Sequence, residues 1–230
     1  MKLVDAGSTW CKIYDSRNDE VSILPTKEFL LGGIEIDWGT GHVARRRTSR
    51  YENDLVSLAK GSLALVEDDD FTVIDVGSRD TKFVTFRKRK PLKMDWSVGC
   101  ATATGATVEM LSRFYDVDFQ ALDPQEEWIP VTCGTYALER IMDWIASGGT
   151  PGDGVARFIH GITRNVWNFA GKPSSVLLSG GFCENNSFVH HLGNYCDVRM
   201  MGRLIPLAGL WSFAAEAGEV PVELPGKLRV

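Results

Sequence analysis

No two cysteines in this chain stand in a C-x-x-C arrangement. Cys11, Cys100, Cys133, Cys183 and Cys196 are odd in number and scattered, so neither a disulfide framework nor a zinc site within one chain is indicated. Isolated thiols of this kind mostly behave as small buried hydrophobes. No apolar run approaches the ~20 residues of a membrane-spanning helix, so no membrane association is expected. Positive charge is short too: 25 Lys and Arg against 30 Asp and Glu leave a net charge of -5, which argues against general nucleic-acid affinity. Obvious linkers and low-complexity tracts are missing. Met1-Lys2-Leu3-Val4-Asp5 reads directly as structure, so a signal peptide is not expected and the cytoplasm is the expected compartment. What remains is 230 residues, 44% apolar and 24% charged, an ordinary globular composition for one large domain or two lobes.

Against that background one motif occurs twice. A β run over Lys2–Asp5 turns at Ala6-Gly7-Ser8-Thr9 and returns as Trp10–Tyr14. A second β run, Phe71–Asp75, turns at Val76-Gly77-Ser78-Arg79-Asp80. Asp5-Ala6-Gly7-Ser8 matches Asp75-Val76-Gly77-Ser78, and Lys12 and Lys82 each follow their Asp by seven residues. Either copy alone is an ordinary hairpin with a Gly turn. Two copies, about 70 residues apart, point to turns that clasp a polyphosphate from both sides. In the first, Gly7 allows close backbone approach, Ser8 and Thr9 supply hydroxyls and N–H donors, and Asp5 suits a hydrated Mg²⁺.

Two of the five cysteines stand where helices begin. After Cys100, Val108, Leu111 and Tyr115 share a helix face. After Cys133, Leu138, Ile141, Met142 and Ile145 recur at helical spacing up to Gly148-Gly149-Thr150-Pro151. A helix N-terminus favours anions and lowers a thiol's pKa, which suits ligands of an anionic iron–sulfur cluster held by four thiolates. One chain offers two such cysteines, so four ligands require a symmetric dimer.

A third helix is expected over Asp153–Phe169, with His160 beside its apolar face in a structural role. Ser175–Leu178 reads as a buried strand leading into Ser179-Gly180-Gly181 and a helix capped near Glu184–Ser187. That pattern suits an adenosine platform or a plain βα turn. The helix over Tyr51–Ala64 is expected to end near Gly61. The basic runs Arg45–Arg47 and Arg87–Lys90 read as solvated, the second in an exposed loop. A last helix covers Leu207–Ala217, and the final ten residues read as a loose tail.

In this order the motifs resemble the ATPase core shared by actin, sugar kinases and heat-shock chaperones. Within it they look like the ATP-dependent iron–sulfur activators of 2-hydroxyacyl-CoA dehydratases and the related benzoyl-CoA reductase ATPase subunits. The matches are Val4–Thr9 with Lys12, Ile74–Lys82, Cys100–Gly105, Thr132-Cys133 with Ala137 and Glu139, and Ser179–Asn185. They span nearly the whole chain. The resemblance implies a two-lobed, actin-like (ribonuclease H-like) α/β fold with a shortened first lobe. Residues 1–70 would form that lobe and 71–230 the second, the C-terminal helix packing back on the first. It implies a homodimer with one 4Fe-4S cluster held by Cys100 and Cys133 of both copies. ATP or ADP would lie in each subunit, with Mg²⁺ held through water by Asp5 and Asp75. Gly7, Ser8, Thr9, Lys12, Gly77, Ser78, Asp80 and Lys82 would stand at the phosphates, and Gly180, Gly181 and Asn185 at the adenosine. The implied activity is ATP turnover coupled to transfer of a low-potential electron, from a ferredoxin or flavodoxin donor to a partner metalloenzyme.

The chain also departs from that pattern. Where the family has D-I-G-G-Q-D, Arg79 takes the Gln position. Its guanidinium could contact a γ-phosphate or stand in for a water-orienting amide. Two other readings follow: a nucleotide-sensing docking module that does not turn ATP over, favoured by Arg79, and a small-molecule kinase of the same superfamily.

Overall fold

The computed structural model describes residues 1–97 and 105–229. The chain forms two compact units, one of Met1–Phe71, Val84–Met94 and Met201–Val230, the other of Thr72–Phe83 and Asp95–Met200. Cys100, with the rest of Cys100–Thr104, lies outside the described residues.

The first unit is built on a four-stranded sheet in the order β3-β2-β1-β4. Strands β1 (Lys2–Ala6), β2 (Trp10–Asp15) and β3 (Glu20–Pro25) run as an antiparallel meander, and β4 (Trp38–Thr40) lies parallel to β1. Central β1 is buried almost throughout while β3 is largely open, as expected for a middle and an edge strand. Helix α1 (Thr26–Leu31) follows β3 directly. Helix α2 (Asp54–Leu65) starts at Asn53, whose side chain accepts from the Leu55 and Val56 N–H groups.

Helix α2 does not stop near Gly61, as the sequence suggests; it runs on to Leu65. Gly61 is there because α2 crosses α7 (Ile205–Glu216) at backbone contact. A methyl group at Gly61 would fall inside the Ile205 carbonyl, and one at Gly209 inside that of Ser57. The final residues are not a loose tail either. Leu224 and Leu228 are buried with Leu207, Leu210 and Trp211, and the Trp211 indole donates to the Pro221 and Glu223 carbonyls at 3.0 and 3.1 Å. Too few apolar residues mark this segment for periodicity to reveal that docking.

A five-stranded sheet has the order β7-β6-β5-β8-β9, from β5 (Phe71–Val76), β6 (Thr81–Arg87), β7 (Lys90–Trp96), β8 (Ser175–Gly180) and β9 (Asp197–Met200). Strands β5, β8 and β9 are parallel. The second unit's core joins Ile74, Val76, Leu178 and Phe83 to apolar faces of α3 (Gly105–Phe114), α4 (Gly134–Ala146), α5 (Pro151–Phe169) and α6 (Asn186–Gly193). On α5, His160 is buried and structural. One ring nitrogen meets the Gln125 carbonyl and the other the Tyr195 hydroxyl, each at 3.0 Å, while the ring stacks on His191 at 3.7 Å.

The basic run Arg87–Lys90 is a tight hairpin turn between β6 and β7, not an open loop. Lys88 and Arg89 both take positive φ, 50° and 57°, which L residues rarely adopt. Arg89 sustains the turn by donating to the Leu63, Val66 and Asp68 carbonyls, and the Asp70 carboxylate accepts from the Lys88 N–H at 2.7 Å.

Candidate functional site

The repeated motif is a repeated geometry. In the first copy the Gly7 N–H donates to the Trp10 carbonyl at 3.1 Å; in the second the Gly77 N–H donates to the Asp80 carbonyl at 3.0 Å. Each turn therefore closes over the same four-residue span, with its Asp near the end of the leading strand.

In the first unit, antiparallel register sets Asp5 opposite Lys12. Their side chains pair at 2.9 Å and are only 9% and 17% exposed. The far side of the turn rests on the start of α1: the Thr26 N–H donates to the Thr9 carbonyl at 2.8 Å and its hydroxyl to the Gly7 carbonyl at 2.9 Å. Ser8 is exposed and Thr9 half-buried. Sequence reasoning missed the loop after β4. Parallel pairing puts Thr40 beside Asp5, and Gly41, at φ +84°, leaves so little room that a methyl group would stand 3.0 Å from the Asp5 carboxylate. The buried Thr40 hydroxyl has no partner among the described residues. The only sign in the sequence was the Gly39-Thr40-Gly41 turn.

In the second unit, half-buried Asp75 accepts from the buried Ser179 hydroxyl at 2.8 Å. Parallel pairing of β5 with β8 sets Asp75 beside Ser179 and Val76 beside Gly180. The Asp75 turn and the Gly180-Gly181 turn thus emerge side by side from the carboxyl ends of parallel strands, the usual place for ligands in such sheets. Gly180 takes φ +93° against the Val76 carbonyl, where a side chain has no space. Lys82 pairs with Asp80 at 2.5 Å. Arg79 is exposed at the tip of this turn. Asn185 is fully buried and its side chain is taken up locally: its oxygen accepts from the Phe188 N–H at 2.7 Å, capping α6, and its amide donates to the Phe119 carbonyl.

Helix α3 joins this group directly. The Ala106 N–H donates to the Ser78 carbonyl at 2.7 Å. Gly105 sits so close that a methyl group would stand 2.9 Å from the Gly77 carbonyl and 3.1 Å from the Ser78 Cα. Gly105 and Ala106, at the start of α3, are therefore seated on the second turn.

Cys133 is the N-cap of α4, half-buried, with extended backbone, and its side chain does not cap the helix. The chain leading to it is clamped on α5. The Ile129 N–H donates to the Arg157 carbonyl at 3.0 Å, the Asn165 amide donates to the Val131 carbonyl at 2.6 Å, and Gly161 admits the Ile129 carbonyl against the helix backbone. A cysteine at the N-terminus of a helix suits a ligand of an anionic cluster. Among the described residues no group of three His, Cys, Asp or Glu side chains could hold a metal ion, and no helix is long and apolar enough to cross a membrane.

No protein-family model and no curated protein matches the chain. Solved structures do. The activator of the 2-hydroxyisocaproyl-CoA dehydratase from Clostridium difficile, solved with bound ADPNP, matches at TM-score 0.75 and 20% identity over 95% of this chain and 96% of its own. Component A of the (R)-2-hydroxyglutaryl-CoA dehydratase from Acidaminococcus fermentans matches at 0.67 and 18%, over 91% and 94%. Ethanolamine utilization protein EutJ from Carboxydothermus hydrogenoformans matches at 0.50 and 12%, over 91% and 88%. The chain has the actin-like fold, in the form seen in this activator and this component A.

Proposed function

We propose that the chain is an ATP-dependent activator: nucleotide bound at the two Asp-Gly-Ser turns controls delivery of a low-potential electron to a partner metalloenzyme. The observation that carries this reading is the seating of α3 on the second turn, through the 2.7 Å bond from Ala106 to Ser78 and the close fit of Gly105. A shift of the Ser78 backbone on nucleotide binding would move α3, the helix that follows Cys100. For such coupling to exist, nucleotide must bind one arrangement better than another.

In this reading Asp5 and Asp75 hold Mg²⁺ through water, and the backbone of Gly7–Thr9 and Gly77–Ser78 meets the phosphates. Lys12 and Lys82, paired with Asp5 and Asp80 here, are poised to exchange those partners for phosphate oxygens. Gly180 and Gly181 offer bare backbone to the adenosine. Arg79 reaches toward the γ-phosphate from its exposed turn. Cys100 and Cys133 of two copies would hold a 4Fe-4S cluster between the subunits. Bound there, such a cluster would supply one-electron, low-potential redox chemistry. Support comes from the fold shared with a dehydratase activator solved with ADPNP and with a dehydratase component A, and from the place of Cys133 at the N-terminus of α4.

Anaerobic purification with iron analysis tests the proposal. Brown, oxygen-sensitive protein with about four irons per dimer is expected, with the colour lost in Cys100→Ala and in Cys133→Ala. Colourless, iron-free protein refutes it. ATP bound without turnover or iron would instead support the nucleotide-sensing module, the reading favoured by exposed Arg79.

A further inference from the structure

A cavity lies in the same unit as Cys133, and neither the phosphate turns nor the cysteines account for it. It measures about 570 Å³ and is lined by Trp128, Thr132, Tyr136, Arg140, Trp144 and Arg157 among others, within the range of small-molecule sites. Its walls are aromatic, and Trp128 and Tyr136 are 45% and 64% exposed. Trp128 and Trp144 are each backed by a guanidinium, Arg164 on Trp128 and Arg157 on Trp144, both 3.7 Å from the ring centroid. Stacking of this kind holds an indole in place and leaves the guanidinium edge for hydrogen bonding.

Two buried N–H groups on this lining have no partner among the described residues: the indole Nε1 of Trp144 and the Nε of Arg157. Arg157 pairs with Glu127 through a different nitrogen. Buried donors are normally satisfied, and an unsatisfied one calls for an explanation. Both groups can only donate, so the missing partner is an acceptor. Arg140, exposed and without an ion pair among the described residues, adds a positive charge to the same lining, which also carries the exposed carboxylate of Asp143.

We propose that this cavity binds a small organic anion, an oxyanion carried on a flat aromatic ring. The ring would lie against Trp128 and Tyr136, and the oxyanion would face Arg140 and the unsatisfied donors of Trp144 and Arg157. Phosphate and carboxylate both satisfy that chemistry.

Titration calorimetry on the full-length chain tests it, with saturating MgADP present to occupy the phosphate turns. The probes are phenyl phosphate, phenylacetate, orthophosphate and benzyl alcohol. One aryl anion should bind at one site per chain, at least about tenfold tighter than orthophosphate or benzyl alcohol, and the tighter of the two identifies the head group. Arg140→Gln should weaken that binding about tenfold, the scale of one charge-assisted hydrogen bond, without changing the melting temperature. Trp128→Leu should weaken it as well. The proposal is overturned if neither aryl anion binds, if orthophosphate binds as tightly, or if both variants bind like the parent.

Discussion

The two Asp-Gly-Ser turns share a backbone and differ in what surrounds it. In the first, Asp5 is buried against Lys12, so the carboxylate is already matched by a cation at 2.9 Å. In the second, Asp75 takes a hydrogen bond from the neutral Ser179 hydroxyl, while Lys82 pairs with Asp80. Each turn also rests on the start of a helix, but differently. Thr26 of six-residue α1 reaches the first through a side-chain and a backbone bond. Helix α3 reaches the second with its own backbone, packed too closely for a side chain. One motif has been used once as a charge-neutralised clasp and once as the seat of a longer helix.

Substitutions can break that comparison or sharpen it. Gly105→Ala should have the largest effect, destabilising the fold by about 3 kcal/mol, because the new methyl group meets backbone that cannot yield. Denaturant titration measures this, and a loss below about 1 kcal/mol would show that α3 is not tightly seated.

Asp5→Asn should cost about 2 kcal/mol by leaving Lys12 without its counter-charge in a mostly buried pair. Asp75→Asn should cost less than about 1 kcal/mol, since an amide oxygen still accepts from Ser179. Equal losses in the two variants would erase the electrostatic difference between the turns.

Acid should distinguish the units as well. Burial, with the charges of His160 and His190, holds His191 down at about 4. Burial also lowers His160. The folded state thus binds fewer protons than the unfolded one. The stability these neutral rings contribute is complete above the ordinary histidine pKa near 6.5 and is lost as pH falls toward 4. By pH 5 the His191 contribution should have fallen by about 2 kcal/mol. His191→Phe should flatten the melting temperature between pH 7 and 5, and an unchanged slope would remove His191 as the cause. Thr26→Val, which deletes the hydroxyl bond to Gly7 but keeps the backbone bond, should cost about 1 kcal/mol in the same denaturant titration.

Legibility in the sequence followed the range of the interaction. The turns could be read because a hairpin is set by neighbours a few residues apart, whereas the pairing of Asp5 with Lys12 was shown by the strand register. Helices α4, α5 and α7 were readable as well, from apolar periodicity or from composition. Gly61 misled because a glycine that ends a helix and one that admits another helix look alike in one dimension. Arg89 misled because its basic character, not the carbonyls it would bind, is what a sequence displays. Gly41 was passed over because its pairing with the Asp5 turn depends on a parallel strand some thirty residues away.

For the feature at the centre of the proposal, the sequence alone determined that two similar Asp-Gly-Ser turns exist and that cysteines precede two helices. Those are local patterns of residue type and spacing. Only the tertiary structure decided that the second turn carries α3 on its backbone, with the Ala106 N–H on the Ser78 carbonyl. Only it decided that Ser179, 104 residues away in the chain, holds Asp75. Both contacts form between segments that meet only after β5 and β8 pair and α3 packs on the sheet, and no local spacing encodes such a meeting.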